Sequence, residues 1–440
     1  MFNAILSRCG VKSGKESVPM GCFDWRKATF QSAFLLGFLH IGVSFGLDPR
    51  FENVNDWLYV LQHPEDAMPE DLASTDFDLV VMDYSAEGTV DTEFSKSQIE
   101  AIQATGKVVL CYFSIGEAES QRFYWDDAWT NGTILTPQAP NWLGPSNPNY
   151  PNNFKVRYWD PAWQAILFGT PDGPSKSYLD RILDQGFDGI YLDIIDAFEF
   201  WSDEIPERSR EQARQDMVAL VNSLAEYARG TRGATDFLVF PQNGPALIVN
   251  DDEELDLLGT QFLAIVDGIG AEDTFYDEIN PQPSEEVDYV TSLLDQFRSG
   301  ANNTRLVLAV DYVWDTNNPS SQANIQRYND FVQKCLARSY TPYAAIRDRE
   351  LQSILTVAPA GGILIPQPRP NAEPVTPTVT ETPRSTDTPT PSQTPPSSPS
   401  PSPLPTALNP LADVNRDGEI GVLDLLELRR NWGHRVELAR

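Results

Sequence analysis

Short apolar runs and helical spacings alternate about eight times between Trp57 and Arg347, and this rhythm constrains the chain more than any other feature. Each apolar run is bounded by turn residues and is too short for a buried helix, as expected of a strand covered on both faces. The runs are Trp57–Leu61, Leu79–Met82, Val108–Phe113, Gly189–Leu192, Phe237–Phe240, Ile265–Ile269, Leu306–Val310 and Tyr343–Ile346. Helices are predicted from a Ser97/Glu100 capping box, from Asp160-Pro161, over Tyr178–Leu183 up to Gly186, and over Glu211–Ala228, Glu285–Phe297 and Ile325–Ala337. Such a repeat over roughly 300 residues is the size and pattern of a (β/α)₈ TIM-type barrel, with a doubly wound open sheet as the alternative. Gly268-Ile269-Gly270 follows a strand but lacks the third glycine of a dinucleotide loop.

In parallel α/β folds the C-terminal strand ends face the ligand. The polar residues predicted there are Asp83 and Tyr84, Glu117 and Glu119, Asp193 and Asp196, Gln242 and Asn243, Glu272 and Asp273, Asp311 and Tyr312, and Arg347. The richest stretch is Gly186–Trp201, GFDGIYLDIIDAFEFW, where a buried strand runs into two acids and an aromatic cluster. Asp193 alone would read as a helix cap; two acids beside aromatics argue for a site. Asp273 and Glu119 read better as caps.

Histidine is scarce: His40, His63 and His434 are the 3 in the chain, and only His63 falls in the main domain. A Ser-His-Asp triad, a Cys-His dyad and a His-rich zinc site are thereby disfavoured, and acid–base chemistry falls to carboxylates. The 4 cysteines, Cys9, Cys22, Cys111 and Cys335, show no metal spacing. Cys111 and Cys335 read as buried thiols, with a bond between them left open. Paired carboxyls beside aromatic faces are what glycoside hydrolysis requires: one donates a proton, the other attacks or activates water. Crowding raises the pKa of one of them and keeps it protonated. The aromatic insertion Tyr124–Trp163 is expected beside the mouth as a sugar platform. A net charge of −31 and pI ≈ 4.3 argue against nucleic acid and anionic membranes and suit a cationic ligand.

Arg26-Lys27, the apolar run Ala33–Phe45 and the small residues around Gly46 form a secretory signal pattern, with Met20 as a candidate start and an uncleaved anchor as the alternative. Pro366–Pro405 is almost wholly Pro, Thr and Ser and reads as an extended linker. Asp413, Asn415, Asp417, the Glu419 carbonyl and Asp424 then fall at positions 1, 3, 5, 7 and 12 of a calcium loop, with Gly418 at position 6. The expected division is 1–46 extension and signal peptide, 47–362 barrel, 363–408 linker and 409–440 calcium module.

SIGEAESQRFYW, VRYWDPAWQAI, GFDGIYLDIIDAFEFW and GIGAEDTFYD occur in that order. The chain thereby resembles the endo-α-1,4-polygalactosaminidase family of glycoside hydrolases in its bacterial form. The resemblance implies a (β/α)₈ barrel and endo-acting cleavage of galactosamine-containing polysaccharide. It places the catalytic pair on Asp193 and Glu272, and Asp83, Tyr112, Glu117, Asn243 and Asp311 along the sugar cleft. Tyr84, Asp196 and Tyr312 join them as substrate-binding candidates from their strand ends. Glu272, with its longer reach on a glycine-flanked loop, is the expected general acid; Asp193, closing a buried strand, the nucleophile or base, with Asp196 as its substitute. The tail resembles one repeat of a dockerin, a module that normally carries two and binds a cohesin. The expected protein is a secreted glycosidase with no catalytic cofactor, a Ca²⁺ in its tail, a polysaccharide substrate and a possible cohesin partner. A non-catalytic carbohydrate-binding barrel at the cell surface is the alternative; it needs the aromatics but not the paired acids.

Overall fold

The computed structural model describes residues 49–63, 67–173, 175–299 and 305–355. The signal pattern, the Pro/Thr/Ser stretch, the calcium loop Asp413–Asp424 and the dockerin-like repeat lie outside the described residues.

The principal strands are β1 (Trp57–Val60), β2 (Leu79–Met82), β3 (Val108–Ser114), β4 (Gly189–Asp193), β5 (Leu238–Pro241), β6 (Gly268–Glu272), β7 (Leu306–Trp314) and β8 (Thr341–Ile346). The helices are α1 (Pro69–Ser74), α2 (Lys96–Gln103), α3 (Pro161–Leu167), α4 (Tyr178–Gln185), α5 (Arg210–Glu226), α6 (Leu257–Ile265), α7 (Ser284–Ser299) and α8 (Gln322–Ala337). β1 to β5 pair in chain order as one parallel sheet, and β6 to β8 as another. A parallel bridge between Gln242 and Gly270 joins them, supported by the Asp267 N–H donating to the Val239 carbonyl at 2.9 Å. β8 returns to β1: the Trp57 indole donates to the Thr341 carbonyl at 3.0 Å, and the Trp57 and Tyr343 rings lie 5.8 Å apart. Parallel strands in sequence order, with helical crossovers and the last beside the first, give the (β/α)₈ arrangement.

Aromatic rings fill much of the interior. Tyr59 lies 5.8 Å from Trp57 and 5.3 Å from Tyr191, and Phe51 lies 5.8 Å from Phe240. Glycines on β6 make room for them. A Cβ on Gly268 would come within 2.1 Å of the Phe240 ring, and one on Gly270 within 1.8 Å of the Tyr191 hydroxyl oxygen. The Gly-Ile-Gly sequence thus serves ring packing.

The structure departs from the sequence reading in three places. The apolar run near Ile265 ends α6, capped by Asp256 accepting from the Gly259 N–H at 2.7 Å, and the strand begins only at Gly268. α6 is too uniformly apolar to show a helical period, and β6 carries two glycines that mask it as a strand. α2 is capped by Ser95 with Gln98, not by Ser97 with Glu100. The tryptophans of the insertion pack on one another: successive ring centroids along Trp125, Trp129, Trp142 and Trp163 are 5.3, 5.2 and 4.9 Å apart. They form a small core against an antiparallel sheet of Leu143–Ser146, Asn153–Val156 and Glu117–Glu119. The Trp163 indole pins it to the barrel through the Ile115 carbonyl at 2.9 Å.

Elsewhere Asp160 caps α3 with Pro161 in its first turn, and Gly186, at φ 82°, ends α4. Cys111 and Cys335 are buried free thiols. Among the described residues no helix is long and apolar enough to cross a membrane.

Candidate active site

The mouth of the barrel is built on the last residues of β4 and β6. Asp193 Oδ2 accepts from the Tyr112 hydroxyl of β3 at 2.7 Å. Glu272 Oε2 accepts from the Asn243 side-chain amide at 3.0 Å, and its other oxygen from the Tyr312 hydroxyl. Asn243 also takes the Glu272 backbone N–H at 2.9 Å, so one amide side chain fixes both the main chain and the carboxyl of that residue. Burial pushes the Asp193 carboxyl from 3.8 up to about 8; the Tyr112 bond opposes the rise and the Glu272 charge adds to it. Burial first, and then the carboxyl each faces, raise the Tyr112 and Tyr312 phenols, so both remain donors.

Beneath the pair, Tyr59 donates to Gln242 at 2.8 Å, while the buried Tyr191 hydroxyl has no hydrogen-bond partner. After burial, the charges of Glu272 and Asp193 are what raise the Tyr191 phenol. The backbone is strained where it leaves these strands. Ile194, Asn243 and Asp273 have φ of 58°, 60° and 52°, a region that a β-branched residue such as Ile194 rarely enters. Gly116 permits the first of these turns, because a Cβ there would meet the Ile194 carbonyl at 2.3 Å.

One wall is a buried ion network. Arg122 donates to both oxygens of Asp83 at 2.8 and 2.7 Å and to Glu119 at 2.7 and 3.1 Å. Its guanidinium also lies over the rings of Tyr84, Tyr112 and Tyr178. A cleft of about 460 Å³ opens above this wall, lined by Asp83, Tyr112 and Arg122 on the barrel side and by Tyr150 and Asn152 of the insertion.

The strand-end candidates therefore separate. Asp193, Glu272, Tyr112, Asn243 and Tyr312 come together; Asp83 faces the adjoining cleft. Asp196 is exposed and, though placed to cap the next turn, makes no side-chain capping bond. Three candidates prove structural. Tyr84 is fully buried and donates to the Gly88 carbonyl at 2.8 Å. Glu117 is buried, pairs with Lys155 at 2.6 Å and accepts from Asn147, tying the insertion to the barrel. Asp311 is buried with its oxygens on the backbone N–H groups of Thr274, Phe275 and Tyr276, each at 2.9 Å, so it clamps the loop after Glu272. Adjacent strand residues point to opposite faces, so Tyr312 enters the mouth while Asp311 leaves it. Nor are Asp273 and Glu119 caps: Asp273 pairs with Arg349 at 2.8 Å and Glu119 with Arg122.

The model of glycoside-hydrolase family GH114 matches residues 47–360. The chain belongs to glycoside-hydrolase family GH114. This GH114 chain is 36% identical over 300 residues to MJ1477 of Methanocaldococcus jannaschii, covering 68% of this chain and 78% of that protein. To a protein of Thermotoga maritima it is 36% identical over 305 residues, covering 69% and 84%. Among solved structures, the glycoside hydrolase domain of PelA from Pseudomonas aeruginosa aligns at a TM-score of 0.45 and 16% identity, over 68% of this chain and 96% of that one. Ega3 of Aspergillus fumigatus, in complex with galactosamine, aligns at 0.45 and 17%, over 68% and 94%.

In this GH114 chain, sequence reasoning missed Arg122, Tyr59, Tyr191 and Lys155 around the candidate site. For Arg122 a signal existed, a cation three residues after Glu119 in SIGEAESQR. The tyrosines looked like ordinary strand residues, and nothing local marks a ring that crosses the barrel.

Proposed function

We propose that this GH114 protein is an endo-acting glycoside hydrolase that cleaves within galactosamine-containing polysaccharide, with Asp193 and Glu272 as its catalytic carboxyls. One observation carries the reading: two carboxyls at separate strand ends are each bound by an inward tyrosine hydroxyl, and burial, with the Glu272 charge adding to it, raises the Asp193 carboxyl to about 8, so that one of the two holds its proton near neutrality. That is the charge state two-carboxylate hydrolysis needs. The protonated carboxyl gives its proton to the glycosidic oxygen as the bond to the anomeric carbon breaks. The ionised one attacks that carbon or takes a proton from the attacking water, and one water is consumed per bond cleaved. The acids at the mouth and the net charge of −31 support a cationic amino sugar as substrate.

For the roles we keep Glu272 as general acid, on reach, and Asp193 as nucleophile or base. The raised Asp193 carboxyl favours the reverse order. Dinitrophenyl glycosides separate the two, because so good a leaving group needs no proton. The alanine variant of the acid cleaves them while losing at least ~10³-fold on the polymer; the variant of the other residue loses both. Unchanged hydrolysis in both variants would remove the pair. Polymer binding without release of reducing ends by the unmodified protein would leave the carbohydrate-binding barrel. On the sequence alone, we also propose secretion, one Ca²⁺ in the loop Asp413–Asp424, and a cohesin-type partner for the tail.

A further inference from the structure

The cleft shares Tyr112 with the carboxyl pair, and its chemistry is unequal on its two sides. Its volume, about 460 Å³, falls within the range of ligand sites. Asp83, Glu87 and Glu119 line it against a single cation, Arg122. Asp83 and Glu119 already take four of the five hydrogen bonds that guanidinium can donate, so its charge is largely matched within the wall. Glu87 differs: it is exposed on the rim and has no ion pair among the described residues. On the opposite side stands Tyr150, a residue 58% exposed. Its loop is held on several sides: the Asn153 N–H donates to the Tyr150 carbonyl at 2.8 Å, the Asn147 N–H to the Asn153 carbonyl at 2.7 Å, and the Asn147 amide to buried Glu117 at 2.9 Å. A large aromatic on a fixed loop spends little conformational entropy on binding.

We propose that this cleft is a subsite for one hexosamine residue of a bound chain, in which Tyr150 stacks on the sugar face and Glu87 binds a free ammonium. The asparagine amides at 149 and 152 on the same side meet the sugar hydroxyls. Such a subsite distinguishes a free amine from an acetamide, because only the ammonium gains from the rim carboxylate. The inference rests on the glycosidase reading for the chain it expects in the mouth, but it is tested by binding.

The experiment uses the full chain carrying Asp193→Asn, titrated by calorimetry with galactosamine oligomers and with their N-acetylated counterparts. Tyr150→Ala in that background weakens binding of both about tenfold. Glu87→Gln weakens only the free-amine oligomer, by about fivefold, and the difference shrinks at high salt. Equal affinities in all three proteins, or no binding of either oligomer, would overturn the subsite. Failure of the catalytic reading is distinguishable: it shows as absence of reducing-end release by the protein with Asp193 intact, whatever the calorimetry gives.

Discussion

Replacing Gly270 by alanine tests how the carboxyl pair is supported. The added Cβ would lie 1.8 Å from the Tyr191 hydroxyl oxygen, 1.6 Å short of the 3.4 Å at which ordinary contact begins, and 2.4 Å from the ring carbon that bears it. The ring cannot swing aside freely, because Tyr59 and Trp57 hold it at centroid distances of 5.3 and 6.0 Å. Tyr191 stands two residues before Asp193 on β4, and Gly270 two before Glu272 on β6, so a shift of either strand carries a carboxyl with it. Overpacking of this kind costs about 2–3 kcal/mol, or roughly 5 °C in Tm for a domain of this size. Displacing a reacting group by ~1 Å costs about 10²-fold in rate. Thermal unfolding and reducing-end assays measure both, with Gly230→Ala as the control, since a Cβ there meets nothing within 4 Å. Adding Tyr191→Phe removes the nearest atom only and recovers part of the loss. A Gly270→Ala protein within about 1 °C and twofold of the unmodified one would refute the reasoning.

Asp193→Asn should stabilise the protein near neutral pH. The folded carboxyl is raised from 3.8 to about 8, so between those values the folded chain holds a proton that the unfolded chain lacks, and stability falls as pH rises through that window. The variant escapes this loss; its Tm exceeds that of the unmodified protein at pH 7 by a few degrees, for about 1–3 kcal/mol, and the gap closes toward pH 4. If Asp193 is the acid, hydrolysis should decline as pH rises through about 8, where that carboxyl loses its proton; if Asp193 is the nucleophile or base, the rate should instead climb through the same region. Arg122→Met leaves Asp83 and Glu119 buried without their cation, at about 3–5 kcal/mol, a deficit that urea unfolding should show. Calorimetry of the full chain should give one weak Ca²⁺ site that Asp413→Ala and Asp417→Ala remove, since Asp424 is shorter than the usual glutamate at the twelfth position.

The alternation of apolar runs and helices determined the barrel, because a strand buried on both faces must be apolar and short whatever surrounds it. The motifs around Asp193 and Glu272 placed both carboxyls at strand ends for the same reason, and the shortage of histidine narrowed the chemistry. Direction was not legible. Asp311 and Tyr312 are neighbours, yet one clamps a loop and the other donates to Glu272. The tryptophans of the insertion looked like sugar platforms and became its core, since composition does not say which faces meet. Arg122, Tyr191 and Gly270 acquire their roles only from residues distant in the chain. A charge is neutralised, a ring accommodated or a proton retained according to what stands within a few ångströms, and in a barrel that is decided by which strands close side by side.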